Sequence, residues 1–258
     1  MEHETAQAVP VPVLGLGTSG MTGAECRRAV LEAFDLGYRH LDTAQMYDNE
    51  DAVGAAIADA ELDREEVFLT TKILPENLAY DDLRTTFDES LDRLDTDYVD
   101  LLLIHAPSDE VPLAESLEAM NELQRDGWVE HIGVSNFDVD QTARAIDLSE
   151  TPILTNQVKY HPYHPQDDLL AYCLEQDVLL TAYTPLAKGE VFDDTTLIEI
   201  ANRHGKTPAQ IALRWLVQQD GVITIPQSAD PEHLAENIDV FDFALTDAEM
   251  AEISKRSE

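Results

Sequence analysis

The sequence predicts an α/β protein built on a parallel sheet. Short apolar runs alternate with amphipathic stretches from one end of the 258-residue chain to the other, and short loops separate them. Several runs are nearly continuous rather than alternating, as in Val99-Asp100-Leu101-Leu102-Leu103-Ile104, which marks strands covered on both faces. Eight strands, each followed by a helix, fit a closed barrel or an open doubly wound sheet. Neither a Pro/Ser-rich linker nor a composition shift divides the chain, so a single domain over residues 1–258 is expected.

The elements follow in order. The first strand is expected at Val13–Gly17. Thr22-Gly23-Ala24-Glu25 has the spacing of a capping box, runs into Ala29, Val30, Ala33 and Phe34 at helical intervals, and ends at Gly37. Strands are expected next at Tyr38–Asp42, Val67–Lys72 and Tyr98–His105. Leu113–Gln124 places Leu113, Leu117, Met120 and Leu123 on one helical face and stops before Gly127. Three more strands, Val129–Ser135, Leu154–Tyr160 and Val178–Tyr183, precede Thr207-Pro208. That pair opens a helix over Ala209–Gln218, with proline at the first helical position, where its missing N–H is no loss. Val222–Pro226 is the eighth strand. The helix before it and a terminal helix from Thr246 are additions to the eightfold pattern, near the C-terminus.

Composition excludes several classes of function. Asp and Glu number 52 against 16 Lys and Arg, a formal charge of −36. The acids are dispersed, as in Asp59-Ala60-Glu61-Leu62-Asp63-Arg64-Glu65-Glu66 and Asp81-Asp82, and form no disordered acidic tail. A folded protein with such an acidic surface suits a halophilic, salt-adapted origin, because at 1 M salt the Debye length shrinks to about 3 Å and self-repulsion becomes tolerable. Nucleic-acid and membrane partners are not expected, since both need clustered basic residues. No apolar run approaches the ~20 residues of a membrane span, and no basic-then-apolar leader is visible. Arg27-Arg28 falls inside a helical pattern and reads as a solvated face. Cys26 and Cys173 stand far apart without metal or redox spacing, as in a reduced cytoplasmic protein. His161 and His164 have metal-like spacing, but Pro162 and Pro165 interrupt it and no further ligand is evident, so no metal is expected.

Titratable residues gather at the C-terminal ends of the expected strands: Asp42, then Tyr47 in its loop, Lys72 and His105. In a closed α/β barrel this is the face that carries active sites. Together the four make an acid–base set. A carbonyl that gains a hydride becomes an alkoxide and needs a proton at that moment, which a tyrosine hydroxyl gives poorly unless a nearby lysine cation stabilises the phenolate. A carboxylate would keep that lysine charged, and a neutral histidine would hold the carbonyl oxygen by a hydrogen bond.

At these residues the chain resembles the aldo-keto reductase family over nearly its whole length. The resemblance lies in Gly37-Tyr38-Arg39-His40-Leu41-Asp42-Thr43-Ala44-Gln45-Met46-Tyr47, Leu69-Thr70-Thr71-Lys72, Leu102-Leu103-Ile104-His105, Ile132-Gly133-Val134-Ser135-Asn136-Phe137 and Asn156-Gln157-Val158-Lys159-Tyr160-His161-Pro162. It implies a (β/α)8 TIM barrel that reduces aldehydes or ketones reversibly with NAD(P)H, Asp42, Tyr47, Lys72 and His105 forming the catalytic tetrad. It also implies that Ser135, Asn136 and Gln157 hold the nicotinamide carboxamide, that Tyr183 stacks on the ring, and that the loop with Pro185 and Leu186 covers the pyrophosphate. Gly15-Leu16-Gly17 lacks the third glycine of a Rossmann fingerprint.

Two departures from the family pattern bear on specificity. Gln227-Ser228 with His233, Glu236 and Asn237 resembles the adenine-ribose end, yet glutamine and histidine stand where the family usually has lysine and arginine gripping the 2′-phosphate. Each lost charge-assisted contact is worth roughly 1.5–3 kcal/mol, so the cofactor is left open between NADP(H) and NAD(H). Ser19, Leu74 and Ala106 stand where the family often has aromatic residues, which implies a wider pocket for the small-molecule carbonyl. The short C-terminus resembles the compact prokaryotic group that includes 2,5-diketogluconate reductases, and a monomer is expected. Two rival functions remain: a Schiff-base aldolase using Lys72, which would need that lysine neutral, and a nicotinamide-binding redox sensor without turnover.

Overall fold

The computed structural model describes residues 2–255. A short antiparallel hairpin, β1 (His3–Ala6) and β2 (Val9–Pro12), comes first. Eight parallel strands follow: β3 (Leu16–Gly17), β4 (His40–Asp42), β5 (Phe68–Ile73), β6 (Val99–Ile104), β7 (Val129–Ser135), β8 (Ile153–Lys159), β9 (Leu179–Tyr183) and β10 (Val222–Thr224). Each pairs with its sequence neighbour in parallel register from β3 to β10. The first and last are joined through a parallel bridge of Leu14 with Thr224 and through Gly17 N–H to the Pro226 carbonyl, 3.0 Å. The sheet is therefore closed: of the two architectures compatible with the apolar runs, the chain forms the (β/α)8 barrel.

The helices lie in the connections. They are α1 (Gly23–Asp35), α2 (Glu50–Asp59), α3 (Tyr80–Leu94), α4 (Leu113–Arg125), α5 (Val139–Leu148), α6 (Asp167–Glu175), α7 (Thr195–His204), α8 (Pro208–Val217), α9 (Pro231–Ile238) and α10 (Asp247–Ser254). The additions near the C-terminus are a second helix between β9 and β10, where α7 and α8 both lie, and the terminal α10. Amphipathic faces at helical spacing seat these helices on the barrel, as with Leu117, Met120 and Leu123 of α4, all fully buried. Capping boxes at Thr207/Gln210 and Thr246/Glu249 fix the starts of α8 and α10.

The structure revises three local expectations. Val13–Gly17 pairs as a strand only at Leu16–Gly17, and Val222–Pro226 only to Thr224. Thr22 does begin α1, but its hydroxyl caps nothing: Gly23 sits at φ +44°, outside helical geometry, so the first turn is not aligned to receive it. The hairpin β1–β2 was not expected. It sits at the end of the barrel opposite the strands' C-termini, where the side-chain amide of its turn residue Gln7 donates to the Ile153 and Asp177 carbonyls and the Gln7 backbone N–H donates to the Asp177 carboxylate.

Candidate active site

Strand exits bring the titratable residues together. Asp42 closes β4, Lys72 is the fifth residue of β5, and His105 follows β6 directly. Tyr47 ends a one-turn 3-10 helix, Gln45–Tyr47, just beyond β4. Lys72 is fully buried and its Nζ donates to Asp42 Oδ1 at 2.5 Å, to the Thr43 carbonyl at 2.8 Å and towards Tyr47 Oη at 3.5 Å. The Tyr47 and His105 rings meet edge-on, centroids 5.9 Å apart.

Electrostatics follow from this packing. Burial by itself pulls the Lys72 amine down, but the adjacent Asp42 carboxylate and Tyr47 more than offset it, and its pKa ends above the ordinary lysine value. His105 moves the other way: burial, with the Lys72 cation second, pushes its pKa down to about 4, against the opposing pull of Asp42. At neutral pH the site thus holds a charged lysine beside a neutral imidazole. The buried Nδ1 of His105 has no hydrogen-bond partner.

These groups open on a cleft of about 460 Å³, within the usual range of small-molecule sites. Asp42, Tyr47, His105, Ser19, Ser135, Asn136, Gln157, Tyr183, Pro185, Leu186 and Gln227 all line it. Asn136, held at φ +62°, donates to the His105 carbonyl at 2.8 Å and accepts the Tyr183 hydroxyl at 2.8 Å. Ser135 Oγ donates to the Gln157 carbonyl. The Gln157 side-chain amide donates to Asp42 Oδ2 at 2.7 Å, so both carboxylate oxygens of Asp42 are engaged and Gln157 Oε1 is left to accept from the cleft. A tyrosine ring beside an amide acceptor and a hydroxyl suits a flat, carboxamide-bearing ring, so the residues present fit the nicotinamide half of a dinucleotide.

Other expected site residues lie elsewhere. Leu74 and Ala106 are not on the cleft wall; the Leu74 N–H is taken by Gln45 Oε1 at 3.1 Å. Ser228, His233, Glu236 and Asn237 lie beyond Gln227, outside the cleft lining, around and within α9. The Ser228 hydroxyl accepts the Asp230 N–H, and Asp230 caps α9 through the N–H groups of Glu232 and His233. His161 and His164 face each other with ring centroids 5.8 Å apart, and no group of three metal-ligating side chains occurs among the described residues. Met46 also lines the wall, and so do Thr184, Lys188 and Ile225, which the sequence marks only as members of the loop after Tyr183 and of the segment leading to Gln227 and not as individual site residues. Lys188 is the one lysine or arginine among the described residues that lines this cleft, in a chain of −36 charge, and its position five residues past Tyr183 could have flagged it.

A model of the Aldo/keto reductase family matches residues 13–258. Among curated relatives, glyoxal reductase of Bacillus subtilis is 39% identical over 246 residues, covering 95% of this chain and 88% of that protein. Morphine 6-dehydrogenase of Pseudomonas putida is 40% identical over 262 residues, covering 96% and 88%. Among solved structures, a candidate 2,5-diketo-D-gluconic acid reductase B superposes with TM-score 0.98 at 47% identity, covering 99% of this chain and 91% of that one. A Bombyx mori aldo-keto reductase solved with NADP superposes with TM-score 0.91 at 33% identity, covering 100% and 95%. No helix among the described residues is long and apolar enough to cross a membrane.

Proposed function

The chain belongs to the aldo/keto reductase family and is an oxidoreductase; on that premise we propose that it reduces small aldehydes and ketones, with Tyr47 as proton donor and Asp42, Lys72 and His105 in support. The observation that carries this is the buried chain Gln157–Asp42–Lys72–Tyr47, with links of 2.7, 2.5 and 3.5 Å, opening on a cleft that His105 also lines. A nicotinamide cofactor, when bound, supplies the hydride. Ser135, Asn136 and Gln157 would hold its carboxamide and Tyr183 its ring face.

The chain's own residues do the rest. Asp42 keeps Lys72 charged despite burial, and that charge favours the phenolate left when Tyr47 releases its proton to the developing alkoxide. His105 is neutral, and since a proton on its buried Nδ1 would find no acceptor, Nε2 carries it and donates to the carbonyl oxygen. The charged state of Lys72 disfavours Schiff-base chemistry, which needs the free amine.

Cofactor choice stays open to both NADPH and NADH: Gln227 offers no charge to a 2′-phosphate, while Lys188 on the same cleft offers one to either cofactor's phosphates. We read the protein as a cytoplasmic monomer of salt-adapted origin, one barrel unit over residues 1–258, supported by the −36 charge and by two free, buried cysteines.

The test is the initial rate with a reactive aromatic aldehyde in molar salt, with NADPH and NADH separately. Tyr47→Phe is expected to lose about 10²–10⁴ in kcat, the usual worth of a positioned general acid. A folded Tyr47→Phe variant with near-native kcat sinks the assignment. Cofactor binding without turnover across many carbonyls would favour the sensor.

A further inference from the structure

We infer that Gln45 is a positioning residue for the proton donor, the keystone of a hydrogen-bonded ring outside the reacting groups; this rests on Tyr47 being that donor. Gln45 opens the 3-10 turn that ends in Tyr47. Its half-buried side-chain amide spends both donors and its acceptor on three separate points. Nε2 donates to the Thr86 carbonyl at 2.9 Å and to Ser90 Oγ at 3.1 Å, both on α3. Oε1 accepts the Leu74 N–H at 3.1 Å, two residues beyond Lys72 on the exit of β5.

The contacts continue from there. Ser90 Oγ also accepts Arg93 Nη2 at 3.0 Å, and Arg93 pairs with Glu50 at the start of α2 at 2.8 Å. The buried Glu50 carboxylate accepts the Thr71 hydroxyl at 2.5 Å, and Thr71 precedes Lys72. The ring Gln45–Ser90–Arg93–Glu50–Thr71 thus runs from the turn that presents Tyr47, through α3 and α2, back to the strand that presents Lys72.

That arrangement does specific work. Thr43 and Tyr47 bracket Gln45 in one short loop, and Lys72 already grips the loop at the Thr43 carbonyl. A second tie, Gln45 to Leu74, holds the loop to β5 on the far side of Lys72. With both ties in place the loop cannot pivot about the first, and the 3.5 Å spacing between Lys72 Nζ and Tyr47 Oη is fixed. Gln45 touches neither the cleft nor any reacting atom, so its effect belongs to proton delivery and not to binding. Misplacing a catalytic group by about 1 Å can cost 10²-fold in rate.

The test replaces the amide by an apolar chain of similar shape. Gln45→Met is expected to lower kcat by about 10–100-fold, with the cofactor Kd from fluorescence titration and the carbonyl KM within twofold of wild type. The solvent deuterium isotope effect on kcat should rise, because proton transfer then limits the rate. Gln45→Glu keeps the acceptor for Leu74 but, once ionised, loses both donors and turns an oxygen on the Thr86 carbonyl. Its activity relative to wild type should recover as pH falls and the carboxyl is protonated, and this variant decides alone if Gln45→Met does not fold. A kcat within threefold of wild type in folded Gln45→Met, a parallel loss of cofactor affinity, or a flat relative pH profile for Gln45→Glu overturns the inference. Tyr47→Phe run alongside separates the failures: if it stays active, the donor assignment has failed; if it is dead while Gln45→Met is native-like, only Gln45 has been misread.

Discussion

Asp42→Asn is the perturbation with the sharpest consequence for stability. Asp42 Oδ1 receives Lys72 Nζ and Oδ2 receives Gln157 Nε2, at 2.5 and 2.7 Å, so both neighbours are donors and both are buried. An asparagine of the same shape offers a single acceptor. Whichever way its amide turns, its own N–H2 confronts either the ammonium or the glutamine amide. Removing one partner of a buried ion pair costs about 3–5 kcal/mol, because the other charge is left uncompensated, and asparagine's remaining acceptor should hold the loss near the lower figure. The sign of the pH dependence is a second, independent check. In the wild type the Lys72 pKa lies above its ordinary value, so its contribution is complete below that value and is lost only as pH rises through the higher folded one. In Asp42→Asn only Tyr47 is left to oppose the burial penalty, and the folded pKa is expected to drop below the unfolded one. Over that window the unfolded chain holds more protons, so the variant gains stability as pH rises. Urea denaturation of both proteins at pH 6.5, 8 and 9.5 in molar salt should therefore show a gap of about 3 kcal/mol that narrows towards alkaline pH. A gap under about 1 kcal/mol, or one independent of pH, would falsify the account of Lys72 as a charge held in place by Asp42.

Further outcomes follow from other contacts. His161, like His105, is held down to about 4 by burial, against an ordinary 6.5, so stability that is intact above pH 6.5 should drain away as pH falls through 4. His161→Gln should flatten that acid limb in thermal melts, and an unchanged slope would count against it. Raising KCl from about 0.1 to 2 M should raise the melting temperature by screening the −36 charge; a melting point insensitive to salt would remove the salt-adapted reading. Lys188→Gln should weaken NADPH and NADH binding alike if the lysine meets the shared pyrophosphate, and an unchanged Kd for both would take it out of the site. A methyl group at Gly54 of α2 would overlap the Leu94 carbonyl closing α3, so Gly54→Ala should destabilise by about 1–3 kcal/mol in the same urea assay.

The barrel was legible because its strands are buried on both faces and its helices on one, and such burial writes itself into the order of apolar residues. Leu101-Leu102-Leu103-Ile104 could hardly be anything but interior. The cluster of Asp42, Lys72 and His105 was legible for a related reason: all three sit where buried runs end, so strand boundaries and titratable side chains mark the same positions. The hairpin was not legible. His3–Pro12 gathers its polar residues at one end, His3, Glu4, Thr5 and Gln7, and carries Pro10 and Pro12, which suit an edge and give no clean alternation. The capping-box pattern at Thr22 misled because residue spacing says nothing of backbone angle, and Gly23 takes a left-handed one. Leu74 lies two positions beyond Lys72 and Ala106 next to His105, but neither lines the cleft. The ring through Gln45 and Glu50 escaped notice because its members come from a turn, two helices and a strand, and no local pattern joins them.

The hairpin plugging the far end of the barrel has a practical consequence. It lies at the opposite mouth from the cleft, tied to the body through Gln7 at Ile153 and Asp177. A tether, label or solid support attached on that side would leave the entrance to the reactive end unobstructed, and the intervening strands would shield Tyr47 from strain in the attachment. For a catalyst meant to work on a bead or an electrode in brine, the molecule already has a handle end and a working end.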